Sequence, residues 1–318
     1  MSRLLPALFR STRALCLAGF TALSACGPIE APPTIIESQL IVAASWPVGY
    51  LAERVAGSDF EVQMHIPEDA DPLHWTPDRP ALEAMNRAGL IVLNGAAFEP
   101  WAERASLPLS RVVRTAEAFE DDWIERSSAT HSHGPRGDHS HGSVDPHTWL
   151  DPLLAKAQAG ALRDALSARH PGQAAGFEER FRSLSADLDE LHSGWSEFTQ
   201  ALDGRRILAA HGAYDYLARR HGWTIDNFDL DPTRVPGDKD LVRLGTTAKS
   251  GPAFALLWET QPTPAVAQAA AKATGLPNLV LDPAEVRSAA EAASGRSYLD
   301  VQRENLQTLL QATKAGDQ

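Results

Sequence analysis

Short apolar runs and longer amphipathic stretches take turns along this chain from residue 40 onward. Leu40-Ile41-Val42-Ala43-Ala44 has no polar position, the pattern of a strand buried on both faces of a parallel sheet. Trp46 to Ala56 follows with helical spacing, Phe60 to Ile66 alternates as a second strand, and Pro80 to Ala88 is helical. Leu90-Ile91-Val92-Leu93 is a third strand that runs into an Asn94-Gly95 turn. The alternation resumes with strand Arg206–Ala210, helix His211–His221, strand Thr224–Leu230 and helix Asp238–Ser250. Strand Ala253–Trp258, helix Pro264–Thr274, strand Leu279–Leu281 and a closing helix from Ser297 to Lys314 complete it. Strands alternating with helices predict an α/β fold with parallel sheets.

The middle of the chain breaks the alternation. Leu153 to Ala168 is amphipathic and stops at His170-Pro171-Gly172. Gln173 to Leu202 then runs without proline, with apolar residues at Phe177, Phe181, Leu184, Leu188, Leu191, Trp195 and Phe198. Steps of three and four put these on one face of a helix roughly 45 Å long. The predicted architecture is two Rossmann-like lobes with parallel sheets, residues 39–172 and 203–318, joined by a long rigid helix over residues 173–202. Ligands of such folds sit at the carboxyl ends of the strands, which places a site in the crevice between lobes.

The first residues read as a targeting segment. Arg3, Arg10 and Arg13 form a positive stretch, and Ala14 to Leu23 is an apolar run too short to span a membrane. Leu23-Ser24-Ala25-Cys26 ends it with small residues and a cysteine. This resembles a bacterial lipobox, implying removal of residues 1–25 and lipidation of Cys26; an ordinary signal peptide with an incidental cysteine is the alternative. Residues 26–38, rich in proline and small side chains, read as a tether. Both cysteines, Cys16 and Cys26, lie at this end, so the folded part has no disulfide and no thiolate ligand. Removing the three arginines takes the formal charge from −12 to −15. An acidic exported protein attracts cations and disfavours nucleic acid.

Chemistry concentrates in histidine. Five of the eleven lie between His131 and His147. The tract through His131, His133, His139 and His141 has three glycines and a proline and no apolar residue to bury. It offers a dense set of imidazoles, the commonest protein ligand for zinc, suited to weak capture that raises local metal concentration. His147 follows in an ordered-looking segment. His74 follows the second strand, His211 the strand Arg206–Ala210, and Asp282 the strand Leu279–Leu281. His74, His147, His211 and Asp282 would close a tetrahedral shell around Zn²⁺. Each has a plainer reading: a lone histidine at a strand end usually makes loop hydrogen bonds, and Asp282 before Pro283 could cap its own turn. Glu259, just after strand Ala253–Trp258, could orient a ligand from behind. His65, His170, His192 and His221 look like ordinary strand, helix-end or surface residues.

Asp145-Pro146-His147-Thr148-Trp149-Leu150-Asp151-Pro152 resembles the Asp-Pro-His-x-Trp-Leu-Asp-Pro segment of zinc- and manganese-specific solute-binding proteins of ABC transporters. His211-x-Ala213-Tyr214-x-Tyr216-Leu217-Ala218 and Leu281-Asp282-Pro283 resemble two further motifs of that family. Asn94-Gly95 through Glu99-Pro100-Trp101 and Pro236-Gly237-Asp238-Lys239-Asp240-Leu241 resemble others, so the likeness spans about residues 39 to 312. The resemblance implies two lobes about a long helix, and histidine rather than glutamate at His211 implies the zinc branch. A His-rich loop ahead of His147 is likewise typical of that branch. One departure stands out: the family's first motif reads Asp-Pro-His, whereas Asp71-Pro72 here is followed by Leu73 and then His74. Leu73 therefore holds the usual ligand slot, and His74 binds only if the loop shifts by one place.

The resemblance implies a periplasmic protein, monomeric and held to a membrane only through lipid on Cys26, that captures Zn²⁺ and delivers it to an ABC permease and its ATPase. A zinc metallochaperone could load the His tract. A manganese or iron carrier of the same family, a zinc hydrolase and a metal-binding surface adhesin are the alternatives. Against the hydrolase, the chain has no His-Glu-x-x-His. Metal held by neutral imidazoles should be lost as pH falls.

Overall fold

The computed structural model describes residues 37–68, 70–126 and 144–316, and between the last two only the backbone of two short strands. The lipobox with Cys26, the tether before residue 37, and His133 and His141 of the tract lie outside the described residues.

The first sheet is built from β1 (Leu40–Ala43), β2 (Glu61–Met64), β3 (Leu90–Leu93) and β4 (Val112–Arg114), in the order β2-β1-β3-β4 and parallel throughout. Helices α1 (Trp46–Ala56) and α2 (Arg79–Arg87) connect them. Between β4 and the next helix, the backbones of β5 (Thr130–Ser132) and β6 (Asp138–Ser140) pair antiparallel, which sets His131 opposite His139. Then come α3 (Pro152–Arg169) and the 29-residue α4 (Ala174–Leu202). The second sheet comprises β7 (Arg206–Ala209), β8 (Ile225–Asn227), β9 (Ala253–Trp258) and β10 (Asn278–Val280). Its order, β10-β9-β7-β8, repeats the first sheet's arrangement and is again parallel. Helices α5 (Asp215–His221), α6 (Asp238–Lys249) and α7 (Pro264–Thr274) link its strands, and α8 (Ala289–Ser294) and α9 (Tyr298–Gly316) close the chain.

In both sheets the first strand lies between the second and the third, so the crossovers leave in opposite directions from adjacent strands. That reversal opens a crevice at the carboxyl ends of β1 and β3, and likewise of β7 and β9. The long helix does what its apolar face implies. Phe177, Leu184, Leu188, Leu191, Trp195 and Phe198 are all buried, in one apolar cluster that includes residues of both sheets. At one end Phe177 packs on Phe60, centroids 5.7 Å apart; at the other Phe198 meets Trp223 edge-on at 5.2 Å and Phe254 at 5.6 Å. Gly194 lets α9 lie against this helix, because a Cβ there would sit 2.4 Å from Leu306 Cδ2. Among the described residues no helix is long and apolar enough to cross a membrane.

Some elements differ from the sequence pattern. The helix expected from His211 starts only at Asp215, because His211 to Tyr214 form a loop at the end of β7. β4 and α8 were not expected: β4 has three partly buried residues, and α8 is a six-residue helix started by a capping box between Ser288 and Glu291.

His221, at the end of α5, lies against His192 of α4 and stacks on Trp223. Burial, with the nearby His192 and Arg220, pushes its pKa down to about 4. A folded pKa below the unfolded value means the unfolded chain binds more protons in between, so stability falls as pH drops from about 6.5 to 4. His221→Phe should remove that component. Denaturant midpoints of metal-free protein at pH 7 and pH 4.5 should differ less in the variant than in the parent, and equal differences would assign the acid sensitivity elsewhere.

Candidate metal centre

The two adjacent strands at the second sheet's crevice each end in a polar side chain. His211 follows β7 by two residues and Glu259 follows β9 directly, while the Ala210 amide bonds Leu257 O at 2.8 Å and keeps the strand ends level. His211 Nε2 lies 3.6 Å from Glu259 Oε1.

His147 comes from the first lobe. Its backbone is tied to the end of β3, where the buried Asn94 donates from Nδ2 to Pro146 O at 3.0 Å. Asn94 is fixed in turn by Glu99, whose carboxylate accepts the Asn94 and Gly95 amides at 2.8 and 3.0 Å. Burial pushes the Glu99 pKa up to about 7 against those two bonds. The same turn holds Ala96 and Ala97 in the left-handed region, at φ 48° and 62°, a strained conformation that these bonds maintain. Thr148 and Gln158 also converge on Asn94 Oδ1, at 3.1 and 2.7 Å, so the turn carrying His147 is held from several sides.

The imidazoles of His147 and His211 meet with centroids 5.7 Å apart, and ligand atoms of His147, His211 and Glu259 all lie within 4.8 Å of one another. His147 Nδ1 is 2.8 Å from Asp145 Oδ1, and Nε2 is 3.1 Å from Glu285 Oε1. Burial opposes a charge on this ring, but the hydrogen bonds to Asp145 and Glu285 outweigh it and push the pKa up to about 10. The hydrogen bond between His147 Nε2 and the Glu285 carboxylate marks a point where a cation could take the place of a proton. Asp145 fixes the orientation of the ring from the far side, as a carboxylate behind a metal-binding histidine does.

Asp145 is itself clamped. Arg126 bonds its Oδ2 at 2.8 Å, reaches Asp215 Oδ2 at 2.7 Å and donates to the Gly212 carbonyl. Gly212 leaves room for this close approach, since a Cβ would come within 2.9 Å of the guanidinium and push it aside. The clamp joins the segment bearing His147 to the segment bearing His211. Tyr216 adds a second tie, accepting the Ile124 amide and donating to Asp145 O, both at 3.0 Å.

His74 lines the mouth of the same site. A cleft of about 610 Å³ is bordered by Asp71, His74, His211, Glu259 and Glu285. A tight turn at Asp71 carries His74, whose Nδ1 lies 3.3 Å from Asp71 Oδ2, while Leu73 packs against the apolar core. His147 is buried behind the cleft, within hydrogen-bond reach of Glu285 in its wall.

The structure does not bring Asp282 into this group. Its Oδ1 accepts the Ala284 amide at 2.7 Å, and its main chain is held by Asn305. Burial pushes its pKa up to about 6, with Glu291 and Arg296 also acting on it. The turn it caps has Ala284 at φ 57°, and this reverses the chain so that Glu285, three residues on, faces His147. Glu285 was not picked from the sequence. The signal available was a second carboxylate directly beyond an aspartate of the kind that bonds its own turn. Glu259, expected to orient a ligand from behind, stands in the cluster itself.

The sequence model of the ZnuA family, the zinc-uptake complex component A, periplasmic, matches residues 41–312. The chain belongs to this family. Among curated ZnuA-family relatives, the zinc-binding lipoprotein AdcA of Streptococcus pneumoniae (strain R6) is 26% identical over 279 residues, covering 86% of this chain and 55% of AdcA. This chain thus spans about half the length of that relative. The high-affinity zinc uptake system protein ZnuA of Yersinia pestis is 25% identical over 280 residues, covering 82% and 88% of the two chains. Zn(II)-bound AdcA from S. pneumoniae superposes with a TM-score of 0.72 at 24% identity, over 86% of this chain and 57% of that one. The metal-dependent lipoprotein YcdH of Bacillus subtilis gives 0.73 at 22% identity, over 85% and 97%. These structures share the ZnuA-family fold of two parallel-sheet α/β lobes.

Proposed function

We propose that this chain captures Zn²⁺ in the periplasm and delivers it to an ABC permease driven by its ATPase. The observation that carries the reading is the convergence of His147, His211 and Glu259 from two lobes on one point, with Glu285 hydrogen-bonded to His147. Two imidazoles and two carboxylates, without thiolates, suit a borderline cation held tightly but reversibly. His74 at the cleft mouth is a further donor, and the acidic surroundings draw a cation inward. Binding displaces the proton between His147 Nε2 and Glu285 Oε1, so capture releases protons and weakens in acid. Zinc-uptake and zinc-binding names among the relatives support zinc as cargo. Residues 1–25 serve as the signal peptide, Cys26 as the lipid anchor and residues 26–38 as a tether to a monomeric two-lobed body. The tract histidines His131, His133, His139 and His141 collect zinc, from solution or from a periplasmic metallochaperone.

Competitive titration of metal-free protein against a fluorescent zinc chelator tests this. One tightly held zinc per chain is expected, with proton release on binding; no stoichiometric zinc would end the reading. Within the site, Glu285→Gln should weaken zinc binding about tenfold or more, whereas Asp282→Asn should leave it within about threefold, the gap expected between a donor and a turn-capping carboxylate. Equal losses in the two variants would remove Glu285 from the shell.

A further inference from the structure

At the opposite end of the first lobe, around the amino ends of β1, β3 and β4, a second cleft of about 340 Å³ is lined by Ser38, Arg87, Gly89, Arg111, Arg169 and His170. Three arginines and a histidine line it, and no carboxylate whose side chain is described does so. Such a concentration of positive charge is out of keeping with a chain of net charge −12.

Part of the arrangement is local. Arg87 and Arg169 lie in the last turns of α2 and α3, where cations favour the helix dipole. Arg111 donates from Nη1 to Asn86 O and Ala88 O, and Arg169 donates to Ala165 O and Ser110 O. Those bonds go to carbonyls, which carry no full charge. They also leave the Nε–Nη2 edge of Arg111, and all of the exposed Arg87 guanidinium, without a partner among the described residues. That edge is the fork that grips two phosphate oxygens.

We infer that this cleft is a binding site for an anionic phosphate group, carried by the headgroup of an acidic phospholipid. The source is argued from the chain's course. Ser38, in the wall of the cleft, lies twelve residues from Cys26, a reach of at most ~40 Å. The lipid assignment rests on the proposed anchor at Cys26; the phosphate chemistry does not.

The test uses the chain from residue 27 on, which keeps the whole compact unit Ile35–Gln318 and carries no lipid. Co-sedimentation with phosphatidylglycerol vesicles is compared with phosphatidylcholine vesicles, alongside calorimetry with inorganic phosphate. Binding selective for phosphatidylglycerol is expected, weakened about tenfold or more by Arg87→Glu. Arg79→Glu, at the other end of α2, should change it far less. Phosphate binding that depends on Arg87, without vesicle binding, would uphold the site and assign it to free phosphate. No binding of either, or equal weakening by Arg79→Glu, overturns the proposal. Zinc titration of Arg87→Glu should match the parent, so failure here leaves the zinc reading intact.

Discussion

His147→Ala is expected to lower zinc affinity by more than about 100-fold, beyond the range typical of residues that only orient a ligand. Three features single this residue out. It is 1% exposed, so water cannot readily replace its nitrogen. Its ring is held by Asp145 on one side and faces Glu285 on the other, so it enters binding without rearrangement. It is also the donor the first lobe contributes to the cluster with His211 and Glu259 of the second. His74→Ala should cost much less, because His74 is 39% exposed at the mouth and its loss leaves the cluster intact. Chelator competition on both variants, with circular dichroism to confirm folding, decides the ranking. A His147→Ala protein within tenfold of the parent would overturn it.

The strands were legible because parallel strands buried on both faces must be continuously apolar, as Leu40–Ala43 and Leu90–Leu93 are. The long helix was legible because Phe177 to Phe198 keep helical spacing over many turns without a proline. Shorter elements leave no such trace: β4 exists because β3 offers it a partner, not because Val112 and Val113 demand it.

The metal centre divided along the same line. His211 stood out because it ends an apolar strand, and His147 because its surrounding segment resembled a known one. The choice between Asp282 and Glu285 could not be read from residue types, since both are carboxylates beside one proline. Which of them faces His147 follows from the backbone angle at Ala284 and from aspartate's habit of bonding its own turn. Arg126 was invisible for another reason. It flanks the His tract in sequence, but its function is set by Gly212 and Asp215, 86 and 89 residues away.

That arginine should produce the largest loss of stability of any single replacement in the clamp. Asp145 is fully buried, and Arg126, only 13% exposed, is the permanent cation against it. Arg126→Ala leaves that carboxylate with His147 alone and Asp215 with only Asn227, although Asp215 already has a raised pKa from burial and from the neighbouring Asp145. Breaking a buried pair by removing one partner costs about 3–5 kcal/mol, and the remaining bond to His147 puts this case near the lower figure. Urea unfolding of metal-free protein should show the midpoint shift at unchanged slope. Arg126→Lys should recover only part of the loss, since one ammonium cannot span two carboxylates and the Gly212 carbonyl as the guanidinium does. The zinc off-rate should rise in both variants, because the clamp holds the His147 segment against the His211 segment. A stability change below about 1 kcal/mol would mean that Asp145 is adequately compensated by His147, and that the segments bearing His147 and His211 are held together by Tyr216 and the surrounding core instead.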